Sequence, residues 1–201
     1  MRYGPEQKPS TRARILAAAD ALFRKQGFAG ASVERVMRAA GLTVGGFYAH
    51  FTSKEELQRE ALRSFLQQSK ERWVAGLEEL HGPEWLSHFV RRYLTRQRRD
   101  DPQGGCMMPS VLSDLTRAAP ELQGTLAEGL DALVREAQAH LTDEQGVTAR
   151  QKALASVALC FGALTLARAT SSQPLSDEVL QAARALLLAK GEEPSPTPPP
   201  R

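Results

Sequence analysis

Between Gly41 and Leu57 the chain reads GLTVGGFYAHFTSKEEL. This stretch gathers hydrogen-bonding and cationic side chains at spacings that leave them on an exposed surface. Phe47 and Phe51 stand one helical turn apart, so both turn inward on a short helix. Tyr48 and His50 then point elsewhere, and Lys54 follows at the start of the next helix. A helix this short is not stable by itself and must be held by its neighbours, so the chemistry it offers is contact through its free face. Arg12 and Arg14 add positive charge near the start of an earlier helix, where they oppose the helix dipole. That placement makes sense beside a phosphate.

The elements that position these residues are readable in the capping pattern. Ser10 or Thr11 is placed to cap a first helix that runs to Gln26 and stops at Gly27. Ser32 is the expected N-cap of a second helix, with Glu34 in its first turn and Gly41 as the left-handed residue that ends it. Thr43 is expected to cap the short helix through its hydroxyl, and Ser53 with Glu56 forms an S-x-x-E capping box for the one after. Helix, glycine-containing turn, helix is the spacing of a helix-turn-helix. In that motif the second helix enters the DNA major groove, N-terminal end first.

Charge agrees with this placement. The net charge is +3, yet residues 1–55 carry +5 and the remainder −2. A basic head on a mildly acidic body suits a polyanion-binding module joined to something else. At 201 residues, with 42% hydrophobic and 24% charged residues, the composition is that of an ordinary globular protein. No apolar run is expected to approach the roughly 20 residues that span a bilayer, and residues 1–10 lack the apolar segment of a signal peptide. The expected location is therefore cytoplasmic. Cys106 and Cys160 are too few and too far apart for a disulfide framework or a metal site.

Helical periodicity continues along the chain, and no strand signal or internal repeat interrupts it. A fourth helix is expected from Ser53 to about Leu80, which at roughly 1.5 Å per residue would be about 40 Å long. Others follow at Pro83 to about Arg99, Cys106 to Ser113, Pro120 to about Leu141, Thr148 to about Ser171, and from Ser176 as N-cap to near Lys190. The fold expected is all-α, with about nine helices. Residues 1–52 form a helix-turn-helix DNA-binding domain and 53–190 a ligand-binding and dimerisation domain. The proline-rich 191–201 is expected to be a disordered tail. The last two long helices carry more apolar surface than one intrachain contact needs. Leu154, Val157, Phe161, Leu164, Val179, Ala183, Leu186 and Leu187 are thus candidates for an isologous four-helix interface between two copies.

Residues 10–57 resemble the DNA-binding head of the TetR (tetracycline repressor) family of bacterial regulators. The likeness rests on SVERVMRAAGLT at 32–43 and GGFYAHFTSKEEL at 45–57. Within the second segment, Phe47, Tyr48, His50, Phe51, Lys54 and Leu57 keep the family's aromatic-Tyr-x-His-Phe-x-x-Lys-x-x-Leu run. The resemblance implies a homodimer on a palindromic double-stranded operator, acting as a repressor and released by a small-molecule effector. By position it puts Thr43 and Tyr48 on DNA phosphates and Lys54 on a phosphate at the following helix's N-terminus. His50 is then a packing or backbone contact, or a DNA contact. This chain has Val44, Gly45 and Gly46 at the base-facing positions, where no side chain can hydrogen-bond. Two glycines there cost about 1 kcal/mol each in helix propensity, which suits close backbone approach. Val44 can still touch a thymine methyl. Specificity is then expected from Arg35, Thr43, the N-terminal arm and DNA shape, with Arg12 and Ser32 as further candidate DNA-binding residues.

For the body, the resemblance implies a ligand site among the central helices. Trp73, Trp85, His88, Phe89, Tyr93, Cys106, Met107, Met108 and Phe161 are the candidate lining, and their apolar character points to an apolar or aromatic effector. Cys106 follows Gly104 and Gly105 at an expected helix N-terminus, where the dipole favours thiolate. Repression relieved by electrophiles or oxidants acting on Cys106 is the alternative reading. No cofactor or metal is expected. G-x-S-x-G, P-loop, H-E-x-x-H and dinucleotide fingerprints are missing from the sequence, and His81 and His88 straddle a Gly-Pro break in poor geometry for a metal. An enzyme is not expected.

Overall fold

The computed structural model describes residues 7–101, 105–144 and 146–189, with side chains from residue 11 onward. The expected tail at 191–201, the first six residues and residues 102–104 of the expected loop lie outside the described residues. Those described form nine α-helices and one 3₁₀ helix, with no strand among them. They are α1 (Gln7–Gln26), α2 (Val33–Ala39), the 3₁₀ helix Val44–Ala49, α3 (Lys54–Val74), α4 (Gly82–Tyr93), α5 (Arg96–Asp100), α6 (Met108–Leu115), α7 (Pro120–His140), α8 (Ala149–Ala169) and α9 (Leu175–Leu188).

Several boundaries differ from those expected, each for a local reason. α1 begins at Gln7 rather than at a Ser10 or Thr11 cap; Pro9 is tolerated because the first turn needs no intrahelical N–H donor. Arg12 and Arg14 consequently sit beyond the first turn. α3 ends at Val74, since Gly76 adopts φ +71 and Ala75 has left the helix. At about 1.5 Å per residue it is about 30 Å long, not 40. The helix expected over 83–99 breaks at Leu94 (φ −86, ψ 76), and Thr95 caps the short α5 by accepting from the Arg98 N–H. Ser176 is not a cap. It lies inside α9, buried, and its hydroxyl donates to the Ala167 carbonyl at 2.7 Å, joining α9 to α8.

The head packs α1, α2 and the 3₁₀ helix around Ile15, Ala19, Phe23, Phe28, Val36, Met37, Phe47 and Phe51, all buried. α3 runs from this cluster into the body, where it lies against α7, and α7 packs on α8 and α8 on α9. One continuous core joins head and body. α8 is long and apolar enough to cross a membrane by length and composition, which corrects the expectation that no run approaches that length. Its apolarity has a local use: Ala153, Val157, Cys160, Phe161, Leu164 and Ala167 are buried within the chain, against α6, α7 and α9.

Candidate nucleic-acid interface

The turn between α2 and the 3₁₀ helix is built as the sequence suggests. Gly41 has φ +67, its N–H reaches the Arg38 carbonyl at 3.0 Å, and the Leu42 N–H reaches Met37 at 2.9 Å. These are the two bonds of a Schellman ending. Arg14 on α1 closes the same end, donating to the Ala40 carbonyl at 2.6 Å. Ser32 caps α2 as expected, accepting from the Arg35 N–H at 3.3 Å.

The helix that follows is 3₁₀ rather than α, with Gly46 N–H to Thr43 O at 3.1 Å and His50 N–H to Phe47 O at 2.9 Å. Two glycines in six residues weaken an α-helix, and the tighter winding is common in short pieces. The expected Thr43 cap is not made: its backbone is extended, but its side chain accepts no capping bond. Its hydroxyl is therefore not spent on the helix. Phe47 and Phe51 stack with centroids 5.6 Å apart and anchor the element in the core, each such burial contributing about 1.5–3 kcal/mol.

What remains outside is a continuous face. Thr43, Val44 (44% exposed), Gly45 and Tyr48 (71% exposed) all face solvent, and Gly46 and His50 are half-buried beside them. Neither glycine is demanded by the protein. A Cβ at Gly45 would meet nothing within 4 Å, and one at Gly46 would make only ordinary contact with Met37 Cε at 3.8 Å and Thr43 Oγ1 at 4.0 Å. Arg35 is exposed and leans on the Gly30 carbonyl at 2.9 Å. At the start of α3, Ser53 accepts from the Glu56 N–H at 3.2 Å. The second half of the box reaches one residue further than expected, because the Glu56 carboxylate takes the Thr52 N–H at 2.6 Å and hydroxyl at 2.5 Å. Those two donors hold its pKa below the usual carboxylate range. Lys54 is half-buried beside them. Arg12 is engaged elsewhere: its guanidinium pairs with Glu60, lies 3.6 Å from Glu56 and covers the Phe51 ring at 4.4 Å. It fixes α1 to α3.

Sequence reasoning missed how the head is tied to the body. Asp114 on α6 accepts from the N–H groups of Phe28 and Ala29 at 2.8 and 3.0 Å. Ser110, also on α6, donates to the Arg24 carbonyl at 2.6 Å. Between them Gly27 has φ +72, and a Cβ there would lie 2.6 Å from the Ser110 carbonyl oxygen. Partners separated by more than eighty residues leave no local signal; only the glycine at the end of α1 was visible.

In the body, Trp73, Trp85, Phe89, Tyr93, Cys106, Met107, Met108 and Phe161 are all buried, while His88 points outward. The aromatic rings fill the space themselves. Trp73 meets Tyr93 edge-on at 4.9 Å, Phe89 at 5.9 Å and Phe161 at 6.0 Å, and Trp85 stacks on Phe89 at 5.1 Å. Cys106 precedes α6, whose N-cap is Met107, and burial pushes its thiol pKa up rather than down. Desolvation outweighs the helix-end effect expected for it. Of the proposed interface residues, Val157, Phe161, Leu164 and Ala183 are used inside the chain, and Val179 and Leu187 are half-buried. Leu154 and Leu186 are exposed, as are Leu166 and Leu175.

Comparison with known proteins agrees with this geometry. Residues 15–61 match the family described as "Bacterial regulatory proteins, tetR family". Among curated proteins, the HTH-type transcriptional repressor KstR2 of Mycolicibacterium smegmatis is 37% identical over 62 residues, which is 31% of this chain and 30% of that protein. The aligned segment thus spans about a third of the length of such a relative. Among solved structures, a TetR transcriptional regulator from Chloroflexus aurantiacus superposes with TM-score 0.72 at 28% identity, covering 91% of this chain and 94% of that one. Reduced NemR from E. coli superposes with TM-score 0.76 at 19% identity, covering 89% and 95%; at that identity the likeness is one of fold.

Proposed function

We infer that this chain, whose helix-turn-helix head belongs to the tetR family of bacterial regulatory proteins, is a cytoplasmic transcriptional repressor rather than an enzyme. It binds duplex DNA through the face formed by Thr43, Val44, Gly45, Gly46 and Tyr48. One observation carries the reading: two adjacent glycines stand on the exposed side of the short helix, although the protein leaves room for side chains at both. A glycine that the fold does not require is explained by something outside the fold that comes close. A DNA backbone or groove floor is that object. Thr43 and Tyr48, with Lys54 at the start of α3, supply phosphate contacts. Ser32 and Arg35 flank them, His50 lies beside Tyr48, and Val44 offers its methyls to a thymine. Arg12 serves by holding α1 against α3.

The working unit is a homodimer on a palindromic operator, as a repeated head requires. Leu154, Leu166, Leu175 and Leu186 provide its apolar contact on α8 and α9. A small apolar or aromatic effector enters by displacing part of the Trp73–Phe89–Tyr93–Phe161 packing. The resulting shift reaches the head through α3 and through the bonds from Ser110 and Asp114. Release by oxidation of Cys106 would need a thiolate, which its burial opposes.

The test is duplex binding as a function of salt, followed by selection from random duplexes. Affinity falls steeply with salt, and Lys54→Gln lowers the slope by about 1 per head, about 2 for the dimer, while weakening all sequences alike. Binding that is independent of salt and of Lys54 would refute the interface.

A further inference from the structure

Where α3 passes the turn from α6 into α7, Glu55, Gln58, Arg59, Arg117, Glu121 and Leu122 line a concavity of about 440 Å³. Gln58 is the unusual member. It is nine-tenths buried, yet its carboxamide has no hydrogen-bond partner among the described residues. A carboxamide carries two donors and an acceptor, and leaving them unmade in a buried place is unfavourable. The indole N–H of Trp85 is sealed inside the body without a partner. The Gln58 amide is not sealed, because Gln58 forms part of the concavity wall.

The charges around this amide are also unspent. Glu55 and Arg59 stand four residues apart on α3, the spacing of a helical ion pair, and do not pair. Among the described residues neither Arg59 nor Glu121 has an ion-pair partner; Glu56 feels Arg59 only as a more distant charge. Arg117 comes no closer than 3.7 Å to Asp114, whose carboxylate already takes the Phe28 and Ala29 N–H groups. Glu55 is drawn back to its own N–H and to Ser53, which hold its pKa below the usual carboxylate range. The N-cap of α7 is Ala119, with no side chain to cap the helix, so the positive end of α7 opens beside these groups. Two guanidinium groups and two carboxylates sum to no net charge. A simple anion would meet the carboxylates, and a simple cation the guanidinium groups. A molecule bearing both charges meets each with its opposite.

We propose that this concavity binds a free α-amino acid as its zwitterion. The carboxylate lies with Arg59, Arg117 and the start of α7, where paired N–H donors match its two oxygens. The ammonium lies with Glu121, and the Gln58 amide, donor and acceptor at once, joins the two. Ala118, Ala119 and Leu122 give an apolar seat for the amino acid's side chain. The occupant bridges α3 to the end of α6, the helix whose Ser110 and Asp114 hold the end of α1. Occupancy is thereby connected to the head. The proposal concerns binding to the free protein and holds whether or not the DNA reading does.

The experiment is isothermal titration calorimetry of the full chain, without DNA and near neutral pH, with L-alanine, L-leucine and L-phenylalanine in turn. The expected result is one saturable site per chain for at least one of the three. Its amide, which lacks the carboxylate, and its N-acetyl form, which lacks the ammonium, bind about tenfold or more weakly. Arg59→Gln weakens the amino acid about tenfold or more but leaves the weak binding of the amide unchanged. Gln58→Leu also weakens binding about tenfold or more, without loss of thermal stability, since it removes a buried amide that the fold leaves unpaired. Lys54→Gln retains binding. Circular dichroism checks that each variant is folded; should Gln58→Leu unfold, Arg59→Gln and Glu121→Gln decide alone. Absence of saturable binding by all three amino acids overturns the proposal, as does unchanged affinity in Arg59→Gln. Equal binding of the amide and N-acetyl forms overturns the zwitterion, and equal loss in Lys54→Gln would put the site on the head instead.

Discussion

Replacing Gly45 by alanine separates stability from binding at a single atom. The added Cβ meets nothing within 4 Å inside the protein, and the backbone there is not in the left-handed region. The unfolded chain loses conformational freedom while the folded chain gains no strain, so the variant should be more stable by about 0.4–1 kcal/mol. For a chain of this size that raises Tm by about 1–4 °C. Affinity should move the opposite way. If the glycine lets the backbone lie against DNA, a methyl group holds the helix off and removes contacts on both sides of it. A loss of about 1.4 kcal/mol per head is tenfold, and a dimer placing two heads on one operator loses about a hundredfold. Differential scanning calorimetry gives the first quantity, and fluorescence anisotropy on a selected duplex gives the second. A Gly45→Ala protein that binds as tightly as the parent would refute the close-approach argument. One that is destabilised would refute the claim that the fold leaves room.

Other outcomes test the remaining structure. Asp114→Ala leaves the Phe28 and Ala29 N–H groups without their acceptor. The expected cost is about 1–3 kcal/mol, with hydrogen exchange at those two amides accelerating first; unchanged exchange would show that α6 does not hold the head. The two cysteines should resist alkylation in the native protein at neutral pH, since burial raises both pKa values, that of Cys160 to about 12. The sign follows from those shifts. Above the ordinary thiol pKa of about 8.5 the unfolded chain releases protons that the folded chain retains, so stability falls as pH rises. Rapid labelling of Cys106 at pH 7 would contradict this and reopen thiol sensing. Leu186→Glu, at a position 70% exposed, should leave the fold intact and shift sedimentation toward monomer, whereas an unchanged dimer would place the interface elsewhere.

Local signals carried much of the fold. Gly41 ended α2 as its position suggested, Ser32 and Ser53 capped the helices they precede, and Phe47 and Phe51 turned inward. The short helix was legible as an element but not in its winding, because the balance between α and 3₁₀ in six residues depends on packing. The long α3 was overdrawn because Leu77 and Leu80 keep the helical spacing past the break at Gly76, both packing on the core from outside a helix. The exposed face of the site was legible, since each member lies within a dozen positions. The fate of Arg12 was not, as Glu60 comes from a helix whose approach no local pattern fixes. Aromatic spacing marked the body's core and could not distinguish rings that line a space from rings that fill it.

The hold of α6 on the α1–α2 turn bears on how regulators of this build could be recombined. A cut at residue 52 looks natural in the sequence, yet it would leave Gly27, Phe28 and Ala29 facing a foreign surface. The turn needs a carboxylate and a serine hydroxyl presented from some sixty residues beyond that cut. A chimera joining this head to another body should therefore work only if the receiving scaffold supplies both groups and leaves a hollow where Gly27 fits. The portable unit is the head together with the footprint of Ser110 and Asp114.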